Sequence, residues 1–326
     1  MAKWAMVTGP TAGIGAAYAK LLAAKGYNLV LVSRDLKRLK QSAADLTAKH
    51  GVETQVLSAD LTTEKGIAAL EKFITENQIE VLINNAGFGL NSSFVKSEAA
   101  DEQSVVNILV SAPMRLAHAV LPQMVARKSG TVVNVSSVAG YFAAGHYSAA
   151  KAYVTVLSES LHAEVSKHGV NVSALCPGFT KTEFHQRAKM KMDALPNFMW
   201  LDADFLVAKS WTDAQAGKAI SIPGWQYRVM VGLLRMLRVL GCDEPASLYV
   251  ASSARKLFRA LGASQMSGLR RWPRARRSRQ SGLRSNRESR RESGEPRQYP
   301  DRLGHRVPSR GISFQERSGR HRHNPW

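Results

Sequence analysis

The stretch 7-VTGPTAGIGAAYAKLLAAKG-26 sets three glycines, Gly9, Gly13 and Gly15, between an apolar run and a helical one. Ala5-Met6-Val7 reads as a buried strand, and the residues from Ile14 onward keep helical spacing until Gly26, a C-cap signal. At such a junction glycines let the backbone turn tightly and approach a pyrophosphate closely. Thr11 and Ile14 lie in the same turn, where the N–H groups of the opening helix would face the anion. A glycine triplet alone is a weak signal, but here the flanking strand and helix supply its context.

Outward from this turn the pattern repeats. Apolar runs at Leu29-Val30-Leu31-Val32, Val81-Leu82-Ile83, Thr131 to Val135 and Val170 to Leu175 alternate with segments of helical periodicity. Alternation of this kind predicts βαβ units, and runs with no polar face predict strands buried on both sides. The expected fold is α/β: a doubly wound parallel sheet (a Rossmann fold) in one domain over residues 1–255. Ligands in such sheets sit at the carboxyl ends of the strands, where the strand order reverses.

The strand ends therefore name the candidate cofactor residues. The second strand runs into Ser33-Arg34-Asp35, so the position where an acid would favour NAD is followed by an arginine suited to a 2′-phosphate. NADP(H) is the expected cofactor. Asp60 in "SADLT" falls on the adenine side, and Asn85, Ala86 and Gly87 in "NNAG" put small residues beside the cofactor.

Residues 183–224 leave this rhythm. They are rich in Phe, Met, Trp and Leu, with Pro196 as a break, and read as a substrate flap over an elongated apolar substrate. From Trp225 to about residue 240 an amphipathic helix is expected, with Arg228, Arg235 and Arg238 inside an arc of about 80°. It reads as packed on the domain or a partner subunit, with an interfacial membrane helix as the sharper alternative.

The chain has 326 residues and a formal net charge of +20. Residues 264–326 hold 17 Arg, no Lys and five acids, a net of +12, which leaves +8 for residues 1–263. So few aliphatic residues cannot offset ordering entropy, and the segment reads as a disordered basic tail. It is a solvated or out-of-frame extension on one reading, and a weak, salt-sensitive binder of nucleic acid or acidic lipid on the other. The two cysteines argue against a disulfide framework, no zinc spacing occurs and no metal site is expected. With no signal peptide and no run of about 20 apolar residues, the expectation is a cytoplasmic protein, at most peripheral at a membrane.

One stretch remains, 136-SSVAGYFAAGHYSAAK-151, in which Tyr147 and Lys151 stand one helical turn apart just beyond a serine pair. A free phenol has a pKa of about 10, and a nearby ammonium favours the phenolate by about 1–3 units. The pair thus reads as an acid/base device. Together with Thr8 to Gly15, Asn84 to Gly87, Asn107 and Pro177-Gly178, it resembles the short-chain dehydrogenase/reductase family, closest to a DltE-like, ketoacyl-reductase-like bacterial branch.

The resemblance implies an oxidoreductase that interconverts carbonyl and alcohol. Ser137, Tyr147, Lys151 and Asn107 would be catalytic; Lys151 would hold the ribose, and Asn107 would support a water leading to it. Pro177, Gly178 and Thr182 would border the nicotinamide, and homo-oligomerisation is implied through the helices after Asn107 and around Tyr147. Ser137 precedes Tyr147 by 10 residues where most relatives have 13, so Ser136 is the alternative. A silent NADPH-binding sensor is the competing function.

Overall fold

The computed structural model describes residues 3–90, 92–182 and 196–239. The first part of the expected flap, 183–195, and the basic tail lie outside the described residues.

Seven parallel strands form one sheet: β1 (Trp4–Thr8), β2 (Asn28–Ser33), β3 (Thr54–Ser58), β4 (Val81–Asn84), β5 (Gly130–Val135), β6 (Val170–Leu175) and β7 (Ile220–Ser221), in the order β3-β2-β1-β4-β5-β6-β7. Met6 stands opposite Val30 on one side and Leu82 on the other, so apolar side chains line up across the strands. Alternate residues of each strand point to opposite faces. Ala5, Val7, Leu29, Leu31 and Ile83 enter one core, and Met6, Val30, Leu82, Val132 and Val172 enter the other. Each such Val, Leu, Ile or Met side chain, fully buried, contributes about 1.5–3 kcal/mol.

Helices α1 (Gly13–Ala24), α2 (Leu36–His50) and α7 (Ala203–Gln215) serve the first core. The Tyr18 hydroxyl of α1 donates to Ser210 Oγ of α7 at 2.7 Å. Asp35 caps α2 by accepting from Arg38 N–H, and Gly51 ends it in the left-handed region at φ 69°. On the other face lie α3 (Glu64–Glu76), α4 (Ala99–Val106), α5 (Ala112–Ala126) and α6 (His146–Val165). Asn107–Ser111 is a π-helical turn joining α4 to α5 in one run, Ala99–Ala126. This 28-residue run is long and apolar enough to cross a membrane by length and composition. Half of its apolar window is buried in the protein, with Val105, Leu116, Val120 and Met124 in the second core.

Part of the stretch expected as flap belongs to the sheet and its helices. Residues 203–221 supply α7 and the seventh strand, and Trp211 lies in the core, edge-on to Tyr27 with ring centroids 6.2 Å apart. Asp213 of α7 accepts from Lys209 and Lys218 at 2.7 Å and from Ser221 at 2.8 Å, which fastens β7 to the helix. Trp211 is thus a packing residue while Phe205 of the same helix is exposed, and composition alone cannot tell a lid from a core helix. The expected amphipathic helix is α8 (Trp225–Val239), with Tyr227 and Val231 buried.

Candidate active site

Strand order reverses between β1 and β4, and a cleft of about 700 Å³ opens there at the carboxyl ends. Its floor is the glycine turn. Gly9 and Gly13 take φ of 67° and 55°, a region that side-chain-bearing residues rarely enter. Ala12, the N-cap of α1, makes no side-chain cap bond and no acid sits in the first turn, so the positive end of the helix points into the cleft wall formed by Gly13 and Ile14. Gly15 does not line the cleft. A Cβ there would stand 2.1 Å from Gly9 O, so this glycine lets α1 pack against its own turn.

Asn85 lines the cleft and braces that turn. Its side-chain Nδ2 donates to Thr8 O at 2.9 Å and Gly9 O at 3.0 Å. Thr8 returns the tie, since its hydroxyl accepts from Asn85 N at 2.9 Å and Ala86 N at 3.0 Å. Ala86 and Gly87 line the cleft beside it.

The end of the cleft beside β2 and β3 carries charge. The exposed Arg34 guanidinium lies 3.6 Å from Asp60, and both residues line the cleft. Burial raises the Asp60 carboxyl, but bonds from Thr62 N–H and Oγ1 and the charge of Arg34 outweigh it and hold the group below its usual range. Arg38, in the first turn of α2, donates through Nη2 to Thr11 O at 2.9 Å.

At the far end β5 delivers the serine pair and α6 the tyrosine and lysine. Ser136 is buried and turned away, bonding to Lys151 O and Thr155 Oγ1 at 2.7 Å. Ser137 lies on the cleft, where its hydroxyl shares a hydrogen bond with the Tyr147 phenol and accepts from Ala139 N at 3.1 Å. The loop shortened by three residues thus leaves the Ser137 hydroxyl on the phenol and the Ser136 hydroxyl tied to α6. Lys151 Nζ donates to Val135 O at 2.7 Å and lies 5.6 Å from the Tyr147 ring centroid. Just before Tyr147, His146 binds Glu102 and meets the Phe94 ring edge-on, which pins the start of α6 to α4 and its preceding loop.

The electrostatics differ from the sequence expectation. Burial pushes the Tyr147 phenol above its ordinary value, only partly offset by the Ser137 bond. Burial also pushes the Lys151 ammonium down to about 8. Desolvation opposes charge on both groups, and here it outweighs the attraction counted from sequence. Asn107 lies outside the cleft lining: its Nδ2 donates to Thr62 O at 2.7 Å and its Oδ1 accepts from Gln103 at 2.9 Å. Its place is the first residue of the π-turn, a feature frequent at functional sites.

The last wall is Pro177, Gly178, Phe179 and Thr180, with Thr182 packed so closely on Gly13 that a Cβ there would meet it at 2.9 Å. Tyr227 of α8 holds this wall from behind. Its hydroxyl accepts from Phe179 N at 2.9 Å and donates to Met199 O at 2.5 Å, and its ring covers Gly178. Leu201 N–H donates to Phe179 O and Lys181 N–H to Leu201 O, so both ends of the segment between Thr182 and Met199 meet at one neck. Of the expected apolar lining, Phe184, Met190 and Met192 lie outside the described residues, while Phe198 and Phe205 are exposed. Apolar side chains that line the cleft together with Tyr147 include Phe88, Leu90, Val138 and Phe142. Among the described residues no group of His, Cys, Asp and Glu gathers as a metal site.

A model of the short chain dehydrogenase family matches residues 3–193. The chain is 36% identical over 202 residues to a very-long-chain 3-oxoacyl-CoA reductase of Anas platyrhynchos, and the match covers 58% of this chain and 64% of that protein's length. A short-chain dehydrogenase from Sphingobium yanoikuyae in complex with NADPH superposes with a TM-score of 0.65 at 32% identity, covering 82% of this chain and all of that one. A bulky-bulky ketone specific alcohol dehydrogenase from Comamonas testosteroni gives 0.62 at 29%, over 83% and 99%.

Proposed function

Because the chain belongs to the short-chain dehydrogenase family, we propose that it is an NADP(H)-dependent oxidoreductase that interconverts a ketone and an alcohol, with Tyr147 as general acid/base. One observation carries this reading: Ser137, Tyr147 and Lys151 meet in the same cleft as the glycine turn. The residues present fit a dinucleotide, since Cβ atoms at Gly9 or Gly13 would crowd Asn85 and Ala86 or Thr182 and fill the cradle where a phosphate must approach the backbone. Gly13 and Ile14 would take the pyrophosphate, Arg34 the 2′-phosphate, Asp60 the adenine side, Lys151 the ribose, and Thr182 with Pro177 and Gly178 the nicotinamide end. When bound, the reduced cofactor supplies the hydride that adds to the carbonyl carbon.

The chain's own residues handle the proton. The buried phenol remains protonated through the neutral range, so Tyr147 is set to donate its proton to the carbonyl oxygen. Ser137 donates a hydrogen bond to the same oxygen and fixes its distance from the phenol. The phenolate left behind is stabilised by the Lys151 ammonium, still charged below about pH 8. Phe88, Leu90 and Phe142 exclude water and favour a bulky apolar ketone. The names of the relatives point the same way, one a 3-oxoacyl-CoA reductase and one an alcohol dehydrogenase for bulky ketones.

The test is NADPH oxidation by the full chain over a panel of 3-oxoacyl thioesters and bulky ketones, with NADH in parallel. Turnover with NADPH preferred, and a preference lowered about tenfold or more in Arg34→Ala, is the expected result. NADPH binding without turnover of any substrate would favour the sensor instead.

A further inference from the structure

Helix α8 holds the cleft wall with one face and shows solvent an apolar stripe with the other. Trp225, Val229, Leu233 and Met236 are 63%, 51%, 43% and 53% exposed, while Tyr227 and Val231 on the inner face are buried. At 100° per residue these four fall within an arc of about 80° and extend over about 16 Å of helix. Arg228 and Arg235 border one edge of the stripe; Arg228 is exposed, and Arg235 lies 5.1 Å over the Tyr141 ring. An apolar stripe that continues turn after turn beside arginines is the pattern of a helix lying in a bilayer interface.

We propose that the outer face of α8 is a docking surface for an anionic lipid bilayer. Charge selects this occupant over a second copy of the chain. With a formal net charge of +20 two copies of the chain repel, and a two-fold pairing across α8 would add Arg228 and Arg235 of each copy to that repulsion, whereas an acidic surface would meet the stripe and these arginines at once. Tyr141 is one residue from Phe142 of the cleft lining, so a bilayer held on α8 would lie near the apolar end of the cleft. The inference rests on exposure and charge alone and stands apart from the reaction proposed above.

The test is sedimentation of the full chain with vesicles of phosphatidylcholine alone and of phosphatidylcholine mixed equally with phosphatidylglycerol. The wild type is expected to partition onto the mixed vesicles, and Val229→Ser/Leu233→Ser to lose about tenfold or more of that partition with an unchanged melting temperature and NADPH affinity. Trp225→Ala, at the helix start, serves as the second variant should the first not fold. Wild type that ignores both vesicles, variants that bind as wild type through the arginine segment alone, or variants that only change the oligomer's mass would each overturn the proposal.

Discussion

The two ends of the cleft are built from different material. At the glycine turn the backbone itself is the site: Gly9 and Gly13 bend it, Gly15 lets the helix close on it, and side chains such as Asn85 and Thr8 serve as braces. At the tyrosine end the site is made of side chains, brought from β5, α6 and the wall after β6, with Tyr227 of α8 holding that wall. A backbone site is written in local sequence, because only glycine fits it. A side-chain site takes its properties from burial and from remote neighbours, which local sequence does not state.

The largest break in this comparison is Gly15→Ala. The added Cβ would lie 2.1 Å from Gly9 O and 2.3 Å from Asn85 Nδ2, so turn and helix must separate. Titration by NADPH fluorescence should show affinity lowered by about 10²-fold or more. Ser137→Ala breaks the other end. Losing a hydrogen bond to the developing oxyanion is expected to lower kcat about 10²-fold while leaving the NADPH dissociation constant unchanged. Steady-state and binding measurements on the same variant separate the two ends.

The pH profile sharpens the comparison, because only the side-chain end titrates near neutrality. Burial lowers the Lys151 pKa to about 8, so the ammonium is present below that pH and lost above it. For the reduction, kcat/KM should be level at neutral pH and fall as pH rises through about 8. Lys151→Met should abolish that limb. The smallest expected effect is Tyr227→Phe, which leaves the Phe179 N–H and the Met199 carbonyl without their phenol partner. A loss of about 1–3 kcal/mol in denaturant midpoint analysis is expected, with the KM for ketone raised more than that for NADPH.

How far the sequence could be read follows the same division. The parallel sheet was legible because unbroken apolar runs such as Leu29 to Val32 have few other uses, and the turn because three glycines stood between strand and helix. That Tyr147 and Lys151 share one face of one helix was legible from their i+4 spacing. The direction of the Tyr147 pKa was not, since spacing reveals the charge nearby but not the burial that outweighs it. Trp211 and the rest of α7 read as part of a flap because aromatic content is shared by lids and cores. Tyr227 acts through partners 48 and 28 residues away, and nothing in its own neighbourhood marks it.

The central claim is that Tyr147 donates the proton in a hydride transfer, and Tyr147→Phe tests it most directly when turnover and NADPH affinity are measured on one preparation. The ring keeps its packing and loses only the hydroxyl. A fall in kcat of about 10²–10⁴-fold with NADPH affinity unchanged is the predicted result. Turnover at the wild-type rate in the variant would contradict the account, because the proton would then come from another group.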